Sequence, residues 1–206
     1  MDFVTQTLMG VGIARIASPS RDKFSQCCLA GALGSLLPDA DSWLVLMGPN
    51  AYGFYHRVFT HSIVGLVGTA VVAGTLAWVI NKRPAWRRFG WFVAPNIRIN
   101  TPPPSPVVLP ALIWIAIAAA AAHWCADFIT GFGNLKPMWP WSQREFTLGA
   151  VTSFDPFILL LTVAWHLLTR NFVMPRSREA LLGACYALIL SIYVVFRWHY
   201  GARTVW

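Results

Sequence analysis

Four apolar runs, at about 56–80, 107–131, 154–170 and 178–197, constrain this chain more than any other feature. Each is close to the roughly 20 residues that an α-helix needs to cross a hydrocarbon core. In lipid, only helices and closed barrels satisfy their own backbone polar groups, and runs of this length are helical. Two shorter segments, about 3–17 and 24–37, sit at the lower edge of spanning length and read as a helical hairpin. The expected fold is therefore an all-α polytopic membrane helix bundle of about six helical segments. Composition agrees: 56% of residues are hydrophobic and only 12% charged, about half the charge usual in a soluble domain.

One integral membrane domain is expected over 1–206, with the chemistry-bearing motifs in about 1–160 and a C-terminal helix at about 178–197. The connection "NTPPPSPVVLP" (Asn100–Pro110) is too rich in proline to continue a helix. "MDFVTQTLMG" begins acidic and has no basic n-region, so it is read as a retained segment and not a signal peptide. Cys27, Cys28, Cys125 and Cys185 form no CxxC pair and lie in apolar segments. They read as small buried hydrophobes, not as a zinc ribbon or a disulfide framework.

A net charge of +8 invites a nucleic-acid reading, but the placement of the basic residues argues against a nucleic-acid partner. If all six segments cross, three connections fall on one side. They carry Arg15, Arg21 and Lys23, then Lys82, Arg83, Arg87, Arg88 and Arg98, then Arg170, Arg176 and Arg178, eleven of the sixteen basic residues. Positive charge in short connections marks the cytoplasmic side. The chain is expected in a cell (inner) membrane, multi-pass, with the lipid bilayer as its partner. The same parity brings "LLPDAD", "HRVFTH" and "HWCAD" to the opposite, non-cytoplasmic face.

Those three clusters hold three of the five histidines and three of the eight acidic residues. His123 and Asp127 are four apart and share a helix face. An imidazole beside a carboxylate suits a divalent metal, although the pair can also simply bond to itself. Asp39 and Asp41 flank the turn set by Pro38; one carboxylate is a ligand candidate, Asp39 the stronger, and the other an orienting group or a cap. His56 and His61 are five apart, about 140° around a continuous helix, so they converge only if the helix begins between them, for instance with Thr60 as N-cap. The expected metal ligands are Asp39, His56, His61, His123 and Asp127. A shared ion requires His61 within about 10 Å of the His123/Asp127 pair. Zinc fits the mixed nitrogen and oxygen donors best, with manganese or iron as alternatives. Arg57 either clamps an anion by a bidentate contact or snorkels to headgroups. Asp155 before Pro156 reads as a helix N-cap and, by parity, also faces the site. Trp139 and Trp141 read as interface anchors, His166 and His199 as structural residues.

"PDAD", "HRVFTHS", "HWCADFITGFG" and "MWPWSQREFTLGAVTSFDPF" together resemble the YdjM-like, membrane-bound metal-dependent hydrolases. The similarity runs from the N-terminus to about Leu160. It implies a bacterial or archaeal multi-helix membrane protein with metal-dependent hydrolase activity, related distantly to zinc-dependent phospholipase C. Members open with a motif like "THALLG", where this chain has "TQTLMG". Gln6 replaces a histidine and is a far poorer metal ligand.

The residues then suggest a hydrolase acting on a phosphoester or ester of an amphiphilic or lipid-linked substrate. A metal-activated water would attack, with an unligated carboxylate, Asp41 or Asp39, as proton acceptor and Arg57 on the anionic group. The alternatives are a metal-binding membrane transporter or a non-catalytic membrane scaffold. HExxH is missing, which excludes a zincin-type protease.

Overall fold

The computed structural model describes residues 1–20, 23–48, 56, 58–83, 105–130, 135–171 and 175–201, apart from the side chains of Trp43, Arg170 and Asn171. Among the described residues six α-helices make up the bundle: α1 (Phe3–Ala17), α2 (Phe24–Leu36), α3 (Ile63–Asn81), α4 (Leu109–Ile129), α5 (Pro156–Asn171) and α6 (Arg176–Phe196). Their boundaries follow local chemistry. Asp2 caps α1 through the Thr5 amide at 2.8 Å. Pro38, with no N–H to give back to the helix, converts the end of α2 into a 3-10 segment, Leu37–Met47, that carries Asp39 and Asp41. Asp155 and Pro156 together set the start of α5, the carboxylate accepting from the Phe157 and Ile158 amides at 3.0 and 3.2 Å.

Small residues let the helices approach closely, as they do where lipid removes the hydrophobic drive between helices. α1 and α2 cross at Gly10 and Gly31, where a Cβ on either would lie within 2.3 Å of the other's carbonyl oxygen. A Cβ on Gly34 of α2 would meet the Ala116 backbone of α4 at 2.6 Å. α2 contacts α1, α3 and α4, while α5 and α6 pack on each other and against α1. Ala116, Ala119 and Ala120 of α4 are buried. In contrast α3 turns Val64, Val67, Val71 and Leu76 outward, and α6 turns out Leu181, Leu188 and Ile192. Such faces suit lipid.

Successive helices alternate in direction. At one end of the bundle Gln6 of α1 meets Asp127 of α4, and Tyr193 of α6 donates to Asp155 at 2.8 Å. At the other, Arg176 donates to the Ser18 carbonyl at 2.6 Å, Asn81 to the Gln26 carbonyl at 3.0 Å, and the Val107 amide to the Gln26 side chain at 2.8 Å. The first end therefore collects the exits of α2 and α4 and the starts of α1, α3 and α5.

Among the described residues three helices are long and apolar enough to cross a membrane, α3, α4, and α6 continued to Tyr200, and α1 and α5 are shorter apolar helices. The segment expected at about 154–170 is shorter because Pro156 fixes its start; its 16 residues span about 24 Å at 1.5 Å each. The helix expected from about 56 begins at Ile63, with Ser62 and not Thr60 as N-cap, its hydroxyl accepting from the Gly65 amide at 3.0 Å.

Candidate metal centre

Three elements meet at the end of the bundle where α2 and α4 finish. The 3-10 segment brings Asp39, the turn before α3 brings His61, and the last two turns of α4 bring His123 and Asp127. All four side chains are at least nine-tenths buried. His61 Nε2 lies 3.1 Å from His123 Nε2, 3.2 Å from Asp127 Oδ2 and 3.3 Å from Asp39 Oδ1. His123 Nε2 lies 3.6 Å from Asp39 Oδ1 and 3.7 Å from Asp127 Oδ2. One donor atom from each residue thus falls within 4.8 Å of every other.

These residues can hold a metal ion, and the spacing fits one. A tetrahedral ion with bonds of 2.0–2.1 Å needs donor–donor edges of about 3.3–3.4 Å. Five of the six edges run from 3.1 to 3.7 Å, and the Asp39–Asp127 edge lies within 4.8 Å. Asp39 Oδ1 and Asp127 Oδ2 are the oxygens that face inward, 3.3 and 3.2 Å from His61 Nε2. Two buried carboxylates and two imidazoles converging in this way repel one another unless a cation or shared protons sit between them.

The outward atoms are tied to the scaffold. Asp127 Oδ1 accepts from the Gln6 amide at 3.2 Å and from the Met1 α-amino group. Gln6, 1% exposed, thus stands where the resemblance placed a ligand and bonds to a carboxylate of the cluster. His56 is also buried; its Nδ1 is 2.7 Å from Asp41 Oδ1 and its Nε2 3.9 Å from Asp39 Oδ1. Asp39, Asp41 and His56 form a second group with donor atoms inside 4.8 Å, sharing Asp39 with the first. Thr60 donates to Asp41 Oδ2 at 2.9 Å, and its oxygen is 3.0 Å from His61 Nδ1. Burial by itself depresses the His61 pKa, but the Asp127 and Asp39 carboxylates outweigh it, and the pKa is raised. For Asp41, burial raises the pKa, yet the His56 and Thr60 hydrogen bonds and nearby imidazole charge leave it lowered.

Asp155 takes no part in either group: its oxygens are committed to the α5 cap and to Tyr193. Arg57 lies outside the described residues. Trp139 packs edge-on against Phe59 at 5.7 Å, and the Pro137 carbonyl accepts from the Ile63 amide at 2.9 Å, so the segment after α4 covers the start of α3. Trp141 is exposed, and Glu145 pairs with Lys136 at 3.5 Å. Two contributors were not legible as such in the sequence. In the sequence Thr60 presents itself only as a possible cap, and Gln6 only as a lost ligand. A hydroxyl immediately before a candidate ligand histidine is the signal that points to the first; nothing local points to the second, since its partner is 121 residues away.

A family model described as YdjM inner membrane protein matches residues 1–201. An uncharacterized protein of Bacillus subtilis (strain 168), YfhP, is 25% identical over 170 residues, 80% of this chain. The chain spans 45% of that relative's length. No solved structure matches.

Proposed function

The chain belongs to the YdjM inner membrane protein family, and from that premise and the geometry of the buried cluster we propose that it is a membrane-embedded metal-dependent hydrolase. The observation that carries the proposal is the His61–His123–Asp127 set, with edges of 3.1, 3.2 and 3.7 Å, and Asp39 Oδ1 beside it at 3.3 and 3.6 Å from the two imidazoles. Two histidines and a carboxylate are the donor set of many catalytic zinc hydrolases. Zinc is the preferred ion, with manganese or iron compatible with the same donors.

When bound, such an ion supplies Lewis acidity, drawing the pKa of a water towards 7 and polarising a phosphoryl or carbonyl oxygen. The chain's own residues do the rest. α4 fixes His123 and Asp127 on one helix face, and Gln6 holds Asp127 by the oxygen that faces away from the centre. Asp39 Oδ1 faces the Nε2 atoms of His56, His61 and His123 at 3.9, 3.3 and 3.6 Å. It sits on the short 3-10 segment and not on a long helix, so it is the carboxylate best placed to move and to take a proton from an attacking water. Arg57, next to His56 in sequence, is the candidate clamp for an anionic group.

The site lies at one end of the bundle, at the level where apolar helices α3 and α4 surface, which favours an amphiphilic or lipid-linked phosphoester or ester. Among the described residues Arg15, Lys23, Lys82, Arg83, Arg176 and Arg178 belong to the other end of the bundle, and by the positive-inside rule that end is taken as cytoplasmic and the site as facing away from it. The test is phosphoester turnover by purified protein in lipid, with His61→Ala as control. Chelation should abolish turnover and added ion restore it; activity indifferent to both would remove the hydrolase reading. A second reading has one observation in its favour: the four donors, drawn from three elements, are all buried, as in a structural ion site. That reading predicts ion binding and stabilisation without turnover of any lipid phosphate.

A further inference from the structure

Asp41 has both carboxylate oxygens committed, and the two commitments lead to two different histidines. Oδ1 is 2.7 Å from His56 Nδ1. A carboxylate only accepts, so His56 must carry a proton on Nδ1, with Nε2 turned to the side of Asp39 at 3.9 Å. Oδ2 accepts the one hydroxyl proton of Thr60 at 2.9 Å. With that proton spent, the Thr60 oxygen at 3.0 Å from His61 Nδ1 can only accept. His61 must then also carry its proton on Nδ1, and its Nε2 lone pair points at His123, Asp39 and Asp127.

We infer that Asp41 is a positioning residue that, through one direct bond and one relayed by Thr60, orients His56 and His61 together and fixes both in the tautomer that presents Nε2 to a divalent cation. This rests on the metal-centre reading and deepens it. It gives Asp41 an orienting role, with Asp39 as the proton acceptor of the two carboxylates that the sequence offers. Orientation of ligand histidines by carboxylates is general in metal sites. Here a single carboxylate serves two of them along a hydroxyl relay.

The chemistry explains why the residue must be aspartate. Asparagine has one acceptor and one donor end. With its oxygen towards His56, its NH2 meets Thr60 and turns the hydroxyl to donate to His61 Nδ1, placing the His61 proton on Nε2 and into the ion's position. With the amide the other way, His56 is switched instead. One histidine is lost in either arrangement.

The experiment is zinc titration of the purified full chain against a competing chelator, for the native protein, Asp41→Asn, Thr60→Val, Thr60→Ser and the Asp41→Asn/Thr60→Val pair. Asp41→Asn should weaken zinc binding by about 10–100-fold, the usual cost of removing an orienting partner. Thr60→Val should weaken it too, and Thr60→Ser should restore it, because serine keeps the hydroxyl but not the methyl. The pair should lose clearly less than the product of the two single losses, since both act through one relay. Native affinity in Asp41→Asn, or strictly multiplicative losses, would overturn the inference while leaving the metal centre standing. If Asp41→Asn does not fold, the Thr60→Val and Thr60→Ser comparison decides: equal affinities overturn the relay. A native protein that takes up no zinc would instead sink the metal centre itself, and the inference with it.

Discussion

Replacing His123 by alanine removes one of four convergent donors and the three edges of 3.1, 3.6 and 3.7 Å that it makes. The remaining donors no longer enclose a tetrahedral position, so bound ion should be lost and its contribution to stability with it. An ion that binds only the folded state stabilises it by about 4 kcal/mol at a thousandfold excess over its Kd. For a chain of 206 residues, where each kcal/mol moves the midpoint by about 2–4 °C, that is roughly 8–16 °C. The chain carries its own reporter: Cys27 and Cys28 are buried, whereas Cys125 and Cys185 are exposed and supply a constant background. A thiol-reactive fluorogenic dye followed on heating in detergent should give a native midpoint that rises with zinc and falls with chelator. His123→Ala should show no such difference. The comparison is made within each protein, so the packing cost of deleting an imidazole cancels. An equal zinc-dependent rise in both proteins, or none in the native one, would refute the argument.

The other predictions concern titration, packing and capping. With chelator present, the raised pKa of His61 adds stability that is complete below its ordinary value of 6.5 and is lost as pH rises through the folded value. The midpoint of chelated protein should therefore fall above about pH 6.5. Asp41 has the opposite sign: its lowered pKa contributes stability present above 3.8 and lost as pH falls through the folded value, so acid unfolding should begin below that point. In Asp41→Asn the acid limb should shift; an unchanged acid limb would count against the Asp41 bonds. Gly34→Ala drives a methyl to 2.6 Å from the Ala116 carbonyl and should cost about 1–3 kcal/mol by overpacking, read in the same dye assay. Asp155→Ala removes the α5 cap and the Tyr193 partner; a loss of about 1–2 kcal/mol is expected, with zinc affinity unchanged. A fall in zinc affinity would bring Asp155 back into the site.

How much of this was legible beforehand depended on whether the information was local. The 3.6-residue period places His123 and Asp127 on one face without knowledge of anything else in the chain. Pro38 and the Asp155–Pro156 pair announce their helix boundaries because proline lacks a backbone donor. The start of α3 was misplaced, since Thr60 and Ser62 are both good caps in isolation. Ser62 takes the cap because Thr60 is held by Asp41, and no pattern within the segment reports that competition.

By itself, then, the sequence determined that apolar helices would alternate across a bilayer-sized thickness and that polar clusters would return to one end of them. It did so because helix period and apolar length are properties of neighbouring residues. Only the tertiary structure decided which carboxylate oxygen faces the centre and which faces Gln6, and that one aspartate holds two histidines through a threonine. Hydrogen-bond direction depends on atoms brought together from four separate elements within about 3 Å, a relation that no stretch of chain contains alone.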